Sequence, residues 1–271
     1  MKKTFALLSF VTLLFTLYAK CIYTPPAHHY SSGIEETFNA KTMGINTIEK
    51  LEDSLMVRIQ NNYADTGLLV NAIDDLLRTR FFHSYSTYTY KENWIATVLG
   101  NYVWQDFKYV VIPQHIIKYP MAACSQQGLL FQYLLKKYHV KFATVQFNNT
   151  DGKSGHYAVN AYYQGSWHYF DSNMEPKKIK GNPSMQILLH DSLLTKIYSL
   201  ENKKWLESKI KGNLIHRVNE NKEGASNMIL FHNFSSFMSN WLWLLLGLLY
   251  IILNSKTYSV IKTTLLNKLT N

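Results

Sequence analysis

The sequence predicts an α+β fold in which one helix packs on an antiparallel sheet, with an apolar segment near each end of the chain. Three observations carry this. Residues 125–138 place Leu129, Leu130, Phe131, Leu134 and Leu135 on one broad apolar face and end in Lys136-Lys137, where a helix C-terminus favours cations. Three strand-like runs follow at once. Residues 5–18 and 241–253 are almost wholly apolar.

The strands show in period and punctuation. Residues 140–147 form the first run, and a loop rich in Asn, Asp and Gly follows over 148–155. Residues 156–163 alternate on a period of two, and 167–171 pair back onto them as a hairpin. Upstream, Leu68, Leu69, Ala72, Ile73, Leu76 and Leu77 recur at helical spacing over 68–82, and a second helix is expected over 92–102. Pro113 and Pro120 mark 107–119 as loop or short helix. A further helix is expected over 183–198.

The N-terminal segment has the form of a secretory signal. Lys2-Lys3 precede the apolar stretch, and Leu17-Tyr18-Ala19 offers a cleavage site. The alternative is an uncleaved anchor. Near the other end, residues 234–253 at ~1.5 Å per residue reach ~30 Å, the thickness of a hydrocarbon core. Lys256, Lys262 and Lys268 follow with no acid, which favours a cytoplasmic C-terminus. A helix packed on the domain is the rival reading. The expected organisation is therefore a signal over 1–19, an arm over 20–62 with a possible helix at 47–60, and the domain over 63–200. A linker over 201–233, a single span over 234–253 and a basic tail over 254–271 complete it, with the domain outside the cytoplasm.

The formal net charge is +10, but the lysines are scattered, so a solvated basic surface is expected and no nucleic-acid partner. His28-His29 has no third ligand at useful spacing, no oxygen-ligand cluster suggests calcium, and no Gly-rich phosphate loop or zinc pattern appears. No metal or cofactor is expected. The chain has two cysteines, Cys21 and Cys124, which cannot make a disulfide framework.

Cys124 stands where the long helix begins. Unpaired backbone N–H groups and the positive dipole end stabilise a thiolate there, and the same groups can donate to an oxyanion. Gly128, one turn on, leaves room for a strand to come close. Alone, Cys124 reads equally well as a small core residue. His156 opens a strand after a flexible loop, where an imidazole can take and return a proton. If Gln164-Gly165 is a two-residue turn, Tyr163 pairs with Ser166 and Ala158 faces Asp171. His156 is then the diagonal neighbour of Asp171, at ~7–8 Å before side chains close the gap. A three-residue turn would put the two on opposite faces. Asp171 otherwise reads as a strand-end turn residue. His168 is the rival base, on the wrong face for Asp171 in this register. Trp104, Gln105 and Gln114 are upstream candidates for an oxyanion donor.

The run Ala122-Ala123-Cys124-Ser125-Gln126-Gln127-Gly128-Leu129-Leu130 resembles the nucleophile helix of transglutaminase-like domains. Gly155-His156-Tyr157-Ala158-Val159 resembles that superfamily's histidine strand, and Trp167-His168-Tyr169-Phe170-Asp171 its tryptophan, three residues, then aspartate. The resemblance covers residues 94–176 and departs at Ala123, where many members have glycine. It implies a papain-like core of bacterial type and a cysteine enzyme, hydrolase or acyltransferase, forming a thioester with an amide of a protein or peptide. In it Cys124 is the nucleophile, His156 the base and Asp171 the orienter. Another papain-like cysteine peptidase and a catalytically silent binding module are the alternatives.

Overall fold

The computed structural model describes residues 2–24, 38–149, 154–173, 183–190, 207–212 and 214–254. It is α+β, and the described chain falls into two compact units. One unit comprises residues 29–86 and 110–226, and the other residues 1–28, 87–109 and 227–271.

The larger unit holds the sheet. Its first helices are α2 (Ile48–Arg58) and α3 (Thr66–Arg80). Each is capped by a side-chain oxygen: Thr47 accepts from Lys50 N at 3.3 Å, and Asp65 from Leu68 N at 2.9 Å. Ile48, Leu51 and Leu55 of α2 are buried, so the second half of the expected arm belongs to the core. The buried Arg80 guanidinium donates from Nε to Ile45 O and from Nη2 to Ile117 O, tying the arm to the segment before the cysteine.

The next helices of this unit are α5 (Pro113–Ile116), with proline at its first turn, and α6 (Cys124–Lys137). All five apolar residues read on the face of α6 are buried. The strands are β1 (Lys141–Asn148), β2 (Ser154–Tyr163), β3 (Ser166–Phe170) and β4 (Ile215–Val218), antiparallel in the order β3-β2-β1-β4. The first three are the expected ones. The fourth is new: it lies inside the expected linker and pairs Val145 with Arg217 and Phe147 with Ile215.

The hairpin sets the register that the site needs. Gln164 and Gly165 have φ of 48° and 77°, a two-residue turn with both residues left-handed. Tyr163 pairs with Ser166 and Val159 with Phe170, so Ala158 and Asp171 come next in line. The alternative three-residue turn is not formed. A short helix, α7 (Met185–His190), covers the start of the expected 183–198 helix; residues 191–198 lie outside the described ones.

The second unit collects the apolar helices. They are α1 (Lys2–Leu17), extended by a π turn over Tyr18–Ile22, and α8 (Ser226–Asn254). Both have the length and composition of membrane spans. With them stands α4 (Tyr90–Tyr102), so residues 87–109 group with the terminal helices and not with the sheet. Thr89 and Glu92 close the start of α4, with Thr89 N donating to Glu92 Oε2 at 2.9 Å. The helix kinks at Asn93, whose φ of −152° and ψ of 82° are not helical.

Candidate active site

Cys124 is the first residue of α6, and its thiol is half-buried. Ala123 before it offers no capping oxygen, so Gln126 supplies the cap from inside the helix. Its Oε1 accepts from Ala123 N at 3.1 Å and from Ser86 N at 2.9 Å. Its Nε2 donates to Ser86 O at 2.8 Å and to Val110 O at 2.7 Å. One buried amide thus fastens the cysteine's helix to two loops.

His156 and Asp171 meet as the hairpin register requires. Their side chains are buried and bond through Nε2 and Oδ2 at 2.6 Å. On β1 the register shifts between Phe147 and Asn148, beside the Phe147–His156 pair, an irregularity of the kind that re-aims a side chain. The Phe147 ring packs against the imidazole, with centroids 5.3 Å apart. With Nε2 committed to Asp171, Nδ1 is the ring nitrogen left for the sulfur, and Cys124 lies near enough to help raise the imidazole's pKa. Burial alone would lower the His156 pKa. The Asp171 charge and hydrogen bond, with the contribution of Cys124, outweigh it and push the value up to about 10. The imidazolium is therefore the resting form at neutral pH, placed between a carboxylate and a sulfur.

The segment carrying the carboxylate is held at each of three successive residues. Asp171 Oδ1 accepts from Asn173 N at 3.2 Å, and Oδ2 accepts from Tyr169 Oη at 3.4 Å. Ser172 Oγ donates to Asp74 Oδ1 at 2.7 Å, and Asp74 is itself held by Arg78 Nε at 2.9 Å on α3. Asn173 Nδ2 reaches Ala122 O at 3.2 Å, the same carbonyl that Gln127 Nε2 bonds at 3.0 Å. The entry to the nucleophile and the exit from the acid therefore share one acceptor.

Gly128 faces the strand, as the spacing suggested. A Cβ there would stand 2.4 Å from Cδ1 of Tyr157, closer than real contacts allow. The Tyr157 hydroxyl meets Thr144 Oγ1 at 3.0 Å, and Gln132 Nε2 donates to that same Oγ1 at 2.9 Å, so the ring cannot swing aside freely. Gly128→Ala is expected to cost about 1–3 kcal/mol of stability through overpacking, read as a lowered urea midpoint.

A small cavity opens beside the sulfur, its wall including Gln127, Gly128, Tyr157, Ala158 and Asn173. Gln127 is buried, and its Oε1 accepts no hydrogen bond among the described residues. His83 was not foreseen. It hydrogen-bonds to Asn173 and feels the charges of His156 and Asp171; burial lowers its pKa, the Asn173 bond opposing. Nothing in the spacing marked His83 among the ten histidines. The rival His168 is stacked on Tyr163 with centroids 3.8 Å apart and bonds Ser166 Oγ at 2.9 Å. The upstream candidates have other surroundings: Gln105 bonds the Tyr109 hydroxyl, Trp104 packs on Phe107, and Gln114 is exposed.

The arrangement can deliver a sulfur nucleophile with a proton donor behind it and backbone N–H groups of α6 in front. No protein-family model matches the chain, and comparison with curated proteins and with solved structures likewise finds no match.

Proposed function

We propose that the chain is a transglutaminase-like cysteine enzyme with a papain-like core, acting on amide bonds of proteins or peptides outside the cytoplasm. The observation that carries this reading is the convergence of Cys124, His156 and Asp171. A half-buried sulfur at a helix start lies within electrostatic reach of an imidazole whose Nε2 is held by a buried carboxylate.

Each residue has one task. The Cys124 sulfur attacks the amide carbonyl carbon, forming a C–S bond and an oxyanion that the first N–H groups of α6 are placed to receive. His156, already protonated, gives its proton to the departing amine as the C–N bond breaks, which leaves a thioester. The neutral imidazole then takes a proton from water or from an incoming amine, whose attack breaks the C–S bond, releases the acyl group and returns the sulfur as a thiolate beside the imidazolium. Asp171 holds the ring and balances the imidazolium throughout. Gln127 stands in the cavity wall with an Oε1 that accepts no hydrogen bond among the described residues, an acceptor for a substrate N–H. Attachment is through α8, with the basic residues after it on the cytoplasmic side.

A peptidyl electrophile tests the reading against a silent binding module. Incubation of the full chain with a peptide chloromethyl ketone should give one adduct in the intact mass, mapped to Cys124. Blocking the imidazole with His156→Ala should slow its formation by about tenfold or more at neutral pH. Equal labelling of Cys21 and Cys124, or labelling indifferent to His156, rejects an activated nucleophile.

A further inference from the structure

Within the unit built from the chain ends and residues 87–109, α1 meets α8 at Ser9 and approaches it again through Trp94 of α4. Ser9 Oγ donates to Trp243 O at 2.7 Å, and a Cβ on Gly247 would lie 3.2 Å from that same Oγ. Two turns further along α1, Phe15 packs edge-on against Trp94, with centroids 5.0 Å apart. Trp94 Nε1 in turn donates to Ser239 O at 2.8 Å. Advancing along α1 from Ser9 to Phe15 thus runs backward along α8 from Gly247 to Ser239. The two helices are antiparallel.

That direction sorts the flanking residues. The start of α1 and the end of α8 share one end of the pair. Lys2 and Lys3 lie at the first, Lys256, Lys262 and Lys268 follow the second, and no acid occurs after Glu223. At the other end Tyr18, Tyr90 and Trp94 pack on Phe15, Tyr23 packs on Tyr90, and Lys20 Nζ donates to Lys91 O at 2.6 Å. Basic flanks on one side and amphipathic rings on the other form the pattern of a bilayer with its cytoplasmic face at the lysines.

The polar and apolar surfaces divide in the same sense. Asn93 donates to Ser235 Oγ at 2.9 Å and accepts from Ser239 Oγ at 3.0 Å, so these two hydroxyls of α8 turn inward onto α4. Leu7, Phe10 and Leu14 of α1 and Leu248, Ile251 and Ile252 of α8 point outward and are exposed. Only 11% and 6% of the two apolar windows are buried within the protein. Helices that hide their hydroxyls and show leucine outward suit hydrocarbon, and the small pair Ser9/Gly247 allows the close approach that such helices use.

We propose that α1 is retained as a membrane span and pairs with α8 as an antiparallel hairpin in the lipid bilayer, with both basic flanks in the cytoplasm. The single-pass arrangement with a removed signal is thereby replaced by two spans, and the chain between them lies on the opposite side. This inference stands apart from the proposed chemistry, since no residue of the candidate active site enters it.

Three measurements on the full chain in membranes test it. The intact mass of the unsubstituted protein should include residues 1–19. On a Cys21→Ser, Cys124→Ser background, Ser9→Cys with Gly247→Cys should form an intramolecular disulfide on mild oxidation, whereas Phe10→Cys with Gly247→Cys should not. On the same background, Thr4→Cys and Ser255→Cys should each react with an impermeant maleimide only after the cells are permeabilised. A mature chain beginning after Ala19, an equally fast disulfide from Phe10, or labelling of either end in intact cells overturns the hairpin.

Discussion

Cys124→Ala is expected to abolish amide turnover, a loss of about 10⁶-fold that leaves only background hydrolysis, because no other sulfur or hydroxyl can take its place on the imidazole. The fold should survive: the side chain is half-buried, and removing one sulfur atom costs at most about 1 kcal/mol. Circular dichroism and the urea midpoint therefore serve as controls, with release of product from a peptide amide as the readout. Turnover retained at more than a few per cent of the parent would remove Cys124 from the chemistry, and with it the proposed enzyme.

Asp171→Asn comes next in size, with an expected fall in kcat/KM of about 10³- to 10⁴-fold. The amide keeps the shape of the carboxylate but not its charge, and it is the charge that holds a buried imidazole protonated. The variant also carries a signature in stability. The His156 pKa lies near 10 in the folded protein, above its ordinary 6.5, so the folded state keeps a proton that the unfolded chain releases. The stabilisation from this proton is complete below about pH 6.5 and is lost as pH rises through about 10. Urea midpoints of the parent should fall across that window. In Asp171→Asn the fall should be largely gone, because the folded-state pKa no longer stands above the unfolded one. A merely structural role for Asp171 would lower the midpoint equally at every pH.

The hairpin and helix α6 were legible because both rest on short-range rules. Leucine spacing and a terminal lysine pair define α6 wherever it is placed. Alternation on a period of two, broken at Gln164-Gly165, sets the register that brings His156 beside Asp171. The reading of Gly128 as a place of close approach was sound for the same reason: a missing Cβ one turn from the cysteine, on the same helical face, leaves space whatever fills it.

What surrounds Cys124, His156 and Asp171 was not legible. The clamp on residues 171–173 draws on Asp74 and Ala122, remote in the chain, and none of these types is unusual where it stands. Gln126 looked like any helical glutamine, yet its amide carries the cap that Ala123 cannot. Strand β4 has four residues, half of them exposed, too short to show a period against charged neighbours. Residues 92–102 were read correctly as a helix but not as a partner of the terminal helices.

By itself the sequence determined the longer helices, the first three strands and which three side chains a hairpin and a helix start can present, since backbone preference and periodicity act over a few residues. Only the tertiary structure decided which elements meet: β4 against β1, Asp74 behind Ser172, Asn93 between two serines of α8. Those meetings depend on burying apolar surface and satisfying polar groups over long stretches of chain, and a local pattern carries no record of its remote partner.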